Sequence, residues 1–330
     1  MSVSEKFDHQ PAANRLRSAF LSQEVVLLVI LIAGVLILST RTSVFLTVDN
    51  ILNQGRLMTE VALVALPMTF IIVTGGIDLS VGSIFGLSAI VLGYSWQNLG
   101  LPLEIAIIIA LVVGAICGLI NGLFIVRVGV PPLIMTLATL ALYRGLAEGI
   151  SQARSARGFP EWFYVLGQGN FLGVPTQLWV FVIAAIIFGI VLARTTFGRT
   201  LYAMGNNELG ARFSGLPVDR VKLIIYTLSG LLSAIAGYIF VSRVSTTRSD
   251  MGSGLELEVI AAVVLGGTSI FGGSGSIAGT VIGVVLIQLL KNGLSLAGAK
   301  NDATIVVIGV VLIFSILVNN FIQHRRGTAD

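Results

Sequence analysis

About ten apolar runs, separated by short polar segments, take up most of the sequence. A helix needs roughly 20 mostly apolar residues to cross a bilayer. Runs near that length lie at 24–40, 58–74, 77–96, 103–126, 132–151, 177–194, 221–242, 256–270, 276–291 and 303–321. Only 11% of the 330 residues are charged, against about 25% in soluble domains. The pattern predicts an all-α polytopic membrane protein with about ten transmembrane helices, of which the eighth, short and rich in glycine, either crosses fully or is re-entrant.

The polar segments between these runs predict the domain organisation. Residues 1–22 form an N-terminal tail, 23–322 the transmembrane domain and 323–330 a C-terminal tail. The densest group of Lys and Arg residues lies in the loop 193–222, on the same side as both tails. Since positive residues favour the inside, we expect this loop and both tails in the cytoplasm, and the loop 152–176 outside.

The sequence lacks the residues that most enzymes need. Both histidines, His9 and His324, lie in the tails, and Cys117 is the only cysteine. The sequence therefore offers no Ser-His or Cys-His pair within the bundle, no paired-histidine zinc motif and no G-x-x-x-x-G-K-[ST] loop for ATP. We predict no enzymatic activity and no cofactor bound by this chain.

The sequence also offers few intramembrane carboxylates. A carrier driven by protons or sodium usually needs several such groups, because intramembrane charges are costly and functional. Asp78 is nearly alone between two apolar runs. An ion-coupled secondary transporter of a small polar solute is therefore the alternative rather than the first interpretation.

The loop 193–222 contains a short predicted helix in the stretch NNELGARFSG. Asn206 or Asn207 can cap its start, and Glu208 suits the positive end of the helix. Gly215 and Pro217 are typical of a helix end.

The same short helix has an apolar face. Leu209 and Phe213 are four residues apart, so they fall on one side of a helix. Since exposed short helices are marginal by themselves, we expect this one to dock into a groove on a partner.

The stretch TGGIDLSVGS places Asp78 beside Gly75 and Gly76, ahead of an apolar run. Glycine adopts backbone angles that other residues avoid, and an aspartate can accept backbone N–H bonds at a helix start. We predict a structural hinge beside the transport pathway rather than direct contact of Asp78 with substrate. The predicted hinge or pathway residues are Gly75, Gly76, Asp78, Ser80, Gly266 and Gly267.

Several stretches together resemble a known family. The stretch AMGNNELGARFSGLPVDRVK resembles the cytoplasmic coupling loop of branched-family ATP-binding cassette (ABC) importer permeases that serve ribose-type sugars. The family pattern, roughly G-x-N-x-x-A-A-x-x-S-G-I, matches at Gly205, Asn207, Ala211, Ser214 and Gly215. Gly210 stands where alanine is usual, and Leu216 where isoleucine is usual. The stretches FLTVDNILNQGR, TGGIDLSVGS and VVLGGTSIFGGSGSIAGT also resemble this family, so the resemblance runs from about residue 40 to 320.

The resemblance implies a permease of the vitamin B12 importer type in a bacterial inner membrane. Its partners are a second permease subunit, identical or distinct, an ATPase that carries ATP and Mg²⁺, and an external binding protein. The cargo is a small neutral sugar or polyol, such as ribose or rhamnose, or autoinducer-2. The ATPase-coupling residues are Gly205, Asn206, Asn207, Glu208, Ala211, Arg212, Ser214 and Gly215. The residues expected to meet the binding protein are Arg154, Arg157, Arg243, Arg248 and Asp250.

Overall fold

The computed structural model of the protein describes residues 44–296 without a break, together with the single positions 32, 33, 35, 36, 39, 40, 298, 306, 309, 310 and 313. The chain is an all-α polytopic membrane protein, as predicted. Between residues 44 and 296 the α-helices are α1 (Val48–Val73), α2 (Val81–Gln97), α3 (Leu103–Leu123), α4 (Pro132–Ser151), α5 (Val165–Gln168), α6 (Thr176–Arg194), α7 (Thr196–Asn206), α8 (Glu208–Phe213), α9 (Val218–Val244), α10 (Leu255–Leu265) and α11 (Ile277–Leu296).

Short elements complete the connections. A π-helical turn (Phe124–Val128) extends α3, and a 3₁₀ turn (Glu161–Tyr164) precedes α5. A two-residue antiparallel ladder pairs β1 (Asn170–Phe171) with β2 (Val174–Pro175).

Six helices of the described residues are long and apolar enough to cross a membrane. They are Val48–Val73, Leu103–Val128, Pro132–Ser151, Thr176–Arg194, Val218–Val244 and Ile277–Leu296. Helix α2 is apolar but has only 17 residues. The predicted spans 24–40 and 303–321 lie mostly outside the described residues, so the count of ten stays a prediction.

The predicted start of the second span was wrong by ten residues. The span was expected at 58–74, but α1 begins at Val48, where the side chain of Thr47 accepts a bond from the backbone N–H of Asn50. The polar first turns of α1 are stabilised by partners on α11. Asn50 exchanges hydrogen bonds with Asn292 (3.0 and 3.2 Å), and Gln54 accepts one from Gln288 (2.7 Å).

The eighth predicted span, 256–270, contains a helix that is long enough to cross only about half of the membrane. Helix α10 has 11 residues, or about 16 Å at 1.5 Å per residue, against a hydrocarbon core of roughly 30 Å. The segment 245–254 before it runs beside α2, where the guanidinium of Arg144 donates to the carbonyl oxygens of Ser249 (2.5 Å) and Met251 (2.8 Å). The chain therefore returns into the bundle as an irregular segment of turns and continues as a half-length helix.

Helices α1 and α9 lie at the centre of the described bundle. In the most apolar window of α1, 83% of the residues are buried, against 22% in α4 and in α6.

Helices α3 and α9 approach closely because small residues face each other. A Cβ added to Gly118 would overlap the carbonyl oxygen of Tyr226, and one added to Gly230 would overlap that of Gly114. Small residues allow such approach in lipid, where helix association depends on close packing.

The bundle has two distinct ends. At one, which we call the loop end, the end of α1 meets α7 and the turn after α10: Gly273 donates its backbone N–H to Val73 (2.9 Å). At the other, the hairpin end, the end of α2 meets the segment 152–175. There Gln97 donates to the Arg157 carbonyl oxygen (2.5 Å), and Arg157 forms a β-bridge with Thr246.

Candidate functional site

The loop end carries the helix that the sequence predicted within NNELGARFSG. Asn207 is its N-cap, and the Asn207 side chain accepts a bond from the backbone N–H of Gly210 (2.8 Å). After Phe213 the chain turns at Gly215, whose φ of 77° suits glycine. Leu216 then donates its backbone N–H to Ala211 (3.1 Å) and closes the helix end. Asn206, the other candidate cap, is instead the last residue of α7.

Ion pairs connect α8 to the start of α9. Glu208 contacts Arg212 (3.1 Å) and Lys222 (2.7 Å), and Arg212 also contacts Asp219 (2.6 Å). Burial acts to raise the pKa of Glu208, but the hydrogen bonds and charges of Lys222 and Arg212 outweigh it, so that the pKa lies below its ordinary value. The ionised form of Glu208 is therefore the one that this arrangement stabilises.

Helix α8 presents an apolar pair to the surroundings. The exposed fractions are 67% for Leu209 and 89% for Phe213, whereas Ala211 is buried against the protein. Ser214 donates its hydroxyl to the Gly210 carbonyl oxygen (2.9 Å) and so belongs to the helix end rather than to the exposed face. An exposed leucine and phenylalanine four residues apart form an anchor of the kind that enters a partner's groove.

Just before α8, the end of α7 meets the turn after α1 and the turn after α10 at four glycines, which we call the glycine junction: Gly75, Gly205, Gly272 and Gly273. A Cβ added to Gly205 would overlap the Val73 carbonyl oxygen and the Gly273 nitrogen. A Cβ added to Gly272 would lie 3.0 Å from the Gly205 oxygen and 3.0 Å from the Gly75 nitrogen. Gly205 thus contacts the turns after α1 and α10 through backbone atoms, and the Tyr202 hydroxyl of α7 donates a further bond to the Gly275 carbonyl oxygen (2.7 Å).

Sequence reasoning identified Gly75 and Gly205 but missed Gly272 and Gly273. The run FGGSGS was a visible signal, since Gly272 and Gly273 both have positive φ, 88° and 77°. The predicted pair Gly266 and Gly267 lies earlier in the same turn, where Gly266 packs against the backbone of Gly279.

Asp78 is fully buried beside the start of α2. One carboxylate oxygen accepts from the backbone N–H of Ser80 (3.0 Å) and from its hydroxyl (2.6 Å), and the other accepts from the Ser229 hydroxyl (2.9 Å). The Ser80 hydroxyl in turn accepts from the Asn121 amide (2.8 Å). Asp78 therefore fixes the backbone just before the start of α2, and its hydrogen bonds connect this point to α3 and α9.

The depth of Asp78 follows from its partner on α9. Ser229 lies 11 residues after Val218, the first residue of α9, or about 16 Å along the helix. The Asp78 carboxylate therefore reaches well into the bundle. Gly76 beside it has no room for a side chain, since a Cβ there would lie 2.8 Å from the buried Tyr226 hydroxyl.

Two further carboxylates of the bundle are paired. Glu60 accepts from Arg243 (2.8 Å), and the Arg243 guanidinium also lies 4.9 Å from the Phe240 ring centroid. Glu258 accepts from Lys291 (2.8 Å). Neither carboxylate needs a mobile cation to balance its charge.

The hairpin end gathers part of the predicted docking surface. Arg154 and Arg157 lie exposed in the segment that pairs with residues 246 and 247. Arg248 and Asp250 form an exposed ion pair (2.5 Å) beside it. Arg243 differs from them because its side chain points inward to Glu60. The docking role of these residues stays a prediction.

Comparison with known proteins gives one family and several relatives. Residues 49–316 match the profile of the family described as "Branched-chain amino acid transport system / permease component". The chain is 42% identical over 272 residues (81% of the chain, 82% of the relative) to the autoinducer 2 import system permease protein LsrD of Yersinia enterocolitica. It is 38% identical to the same-named protein of Salmonella paratyphi A (92% and 93%) and 37% identical to that of Yersinia pseudotuberculosis (92% and 92%). No solved structure matches the chain significantly.

Proposed function

The chain belongs to the family of branched-chain amino acid transport permease components. On this premise we propose that it is the membrane-spanning subunit of an ATP-driven importer and that it carries a small neutral sugar or polyol across the membrane. It is a multi-pass protein of the inner membrane and a transport component rather than an enzyme. The observation that carries the proposal is the exposed apolar pair of α8, which follows directly after α7, the helix whose Gly205 belongs to the glycine junction.

In this proposal a separate ATPase subunit holds the ATP and Mg²⁺ and binds α8. Phe213 and Leu209 enter its groove as apolar anchors. Gly205, Asn206, Asn207, Glu208, Ala211, Arg212, Ser214 and Gly215 supply the backbone, caps and ion pairs that keep α8 in one orientation.

The glycine junction passes the motion of α8 to the transport pathway. Backbone atoms of Gly205, Val73 and Gly273 meet without intervening side chains, so a displacement of α7 moves both neighbouring turns. Those turns carry Gly75, Gly76 and Asp78 on one side and Gly266 and Gly267 on the other. The hydrogen bonds of Asp78 then extend the motion to α3 and α9.

The charges of the bundle support a neutral cargo. Glu60 is paired with Arg243 and Glu258 with Lys291, so neither is a free counter-ion for a charged solute. Asp78 is fully buried and is held by serine hydroxyls. The relatives are named autoinducer 2 import permeases, which supports autoinducer-2 as the cargo, and ribose or rhamnose share its hydroxyl-rich chemistry.

The complete importer needs partners on both sides of the membrane. An external binding protein delivers the solute to the hairpin end, at the surface that includes Arg154, Arg157, Arg248 and Asp250. A second permease subunit, identical or distinct, completes the pathway. The exposed apolar faces of α3, α4 and α6 lie against lipid or this second subunit.

Reconstitution tests the function. Proteoliposomes containing the chain with the ATPase and binding protein of the same importer are expected to accumulate autoinducer-2 or ribose only when ATP is supplied. Liposomes with the chain alone and an imposed proton or sodium gradient serve as the comparison. Accumulation driven by the ion gradient would overturn the proposal in favour of an ion-coupled carrier.

A further inference from the structure

A cavity of about 750 Å³ opens at the hairpin end, between the last turns of α2 and α4. Ile90 and Ile150 are apolar residues of its lining, which we call its floor. Four residues of the segment 152–156 also line it, and we call this segment its rim. Its size falls within the range of small-molecule sites, roughly 300–1,000 Å³. It lies at the opposite end of the bundle from α8.

The wall of this cavity is rich in hydroxyl and amide groups. Three of them already have protein partners: Gln97 donates to Arg157, Ser151 to Glu148, and Thr247 accepts from Ala156. Among the described residues, the side chains of four others that line the cavity make no hydrogen bond: Tyr94, Asn98, Gln152 and Ser155.

Backbone geometry holds the rim in place. Gln152 and Ala153 have φ values of 47° and 59°, a left-handed conformation that costs residues other than glycine about 1–2 kcal/mol each. The Gln152 N–H bonds to Glu148 (3.0 Å), and the Arg154 N–H bonds to Ser151 (2.8 Å). Ala156 is fixed by two hydrogen bonds to Thr247. Such strain persists where the surroundings determine the backbone, and it concentrates at functional sites.

We propose that this cavity is a receiving site for a neutral polyol on its way into the pathway. The inference rests on the proposed function and adds the place where the solute first binds the permease. Hydroxyls and amides both donate and accept hydrogen bonds, which matches a polyol hydroxyl. A phosphate or carboxylate needs donors alone, and Arg154 is the one cation among the residues that line this cavity. The apolar floor and the Tyr94 ring suit the C–H faces of a sugar.

Filling the cavity tests the proposal in the complete importer. An added Cβ at Gly149, which lines the cavity, meets no atom within 4 Å, and the same holds one turn earlier at Gly145, which does not line it. Gly149→Phe is expected to lower ATP-dependent uptake of ribose or autoinducer-2 roughly tenfold, equivalent to about 1.4 kcal/mol of lost binding. Gly145→Phe is the matched control and is expected to retain uptake. Normal uptake by Gly149→Phe, or an equal loss in both variants, overturns the proposal.

Cysteine protection tests the same site in the chain alone, in lipid nanodiscs. Ser155→Cys introduces a thiol at the rim, Glu161→Cys is an exposed control outside the cavity, and Cys117 is buried. D-ribose and xylitol are expected to slow maleimide labelling of Ser155→Cys in a saturable way and to leave Glu161→Cys unchanged. Absence of protection, or protection by ribose 5-phosphate alone, overturns a neutral-polyol site. Protection without ATP-dependent uptake by the parent importer would refute the proposed function while supporting the site.

Discussion

Gly205 meets the carbonyl oxygen of Val73 so closely that no side chain fits between them. Gly205 belongs to α7, just before the exposed helix α8, and Val73 is the last residue of α1 before the turn that leads to Asp78. A contact between two backbone segments has little freedom to adapt, because neither side can change rotamer. This contact is therefore a stiff link between the end of α1 and α7, the helix that leads into α8.

Gly205→Ala should uncouple transport. Its Cβ would overlap both the Val73 oxygen and the Gly273 nitrogen, and such overpacking typically costs about 1–3 kcal/mol. We expect the variant to reach the membrane and to lose most ATP-dependent uptake, measured in cells and normalised to membrane abundance. Full uptake would show that the close contact has no role in coupling.

Gly210→Ala is the matched comparison, since it makes the same change five residues later. Its Cβ would lie 3.2 Å from the Asn207 side chain, which can shift slightly. Alanine in a helix is favoured over glycine by roughly 0.5–1 kcal/mol. We expect unchanged or improved uptake and a higher melting temperature of the purified protein. A loss like that of Gly205→Ala would indicate that α8 needs the flexibility of Gly210.

The sequence predicted the elements whose signals are local. Helix α4 agrees with the predicted span 132–151, because Pro131 and Pro132 begin it and a continuous apolar pattern follows. The Asn207 cap and the stop at Gly215 were also readable, since each depends on neighbours within a few residues. Local chemistry decides both helix ends.

The sequence could not predict what depends on distant partners. The first turns of α1 looked too polar for a span because Asn50 and Gln54 are satisfied by α11, more than 200 residues away. Asp78 is likewise tied to Ser229, 151 residues later. Arg243 was expected on the surface, and its inward position depends on Glu60, 183 residues away.

Asp78→Asn should lower membrane abundance or coupling more than it changes solute choice. An amide oxygen can still accept from Ser80, but its NH₂ group would face the Ser229 hydroxyl, which now donates to Asp78. Asp78→Ala should be worse, because each buried donor left without a partner costs about 1–3 kcal/mol. Uptake of ribose, rhamnose and autoinducer-2 should fall in parallel, whereas a selective change for one solute would place Asp78 in contact with substrate.

Acidification should loosen α8 through Glu208. Because the pKa of Glu208 lies below its ordinary value of about 4.5 in the folded protein, its ionised form is stabilised by folding. The contribution of Glu208 to the free energy of unfolding is complete above the pKa that Glu208 has in the unfolded chain, and it is lost as the pH falls through the pKa in the folded protein. Glu208→Gln removes the charge at neutral pH. We expect faster hydrogen exchange in residues 208–213 for this variant, whereas exchange in α4 should not change; equal exchange in α8 would mean that the ion pairs to Arg212 and Lys222 add nothing to its order.

Phe213→Ala should weaken the ATPase contact without destabilising the permease. The Phe213 side chain is 89% exposed, and substitutions at exposed positions usually change stability by no more than about 0.5 kcal/mol. An aromatic anchor in a partner's groove contributes roughly 2 kcal/mol or more, which corresponds to about thirtyfold in affinity. Binding of the ATPase to nanodiscs containing the permease measures this loss directly, with Ile187→Ala on the exposed face of α6 as the control. If Phe213→Ala and the parent bind the ATPase equally well, α8 is not the docking element, and the ATPase must contact another part of the permease.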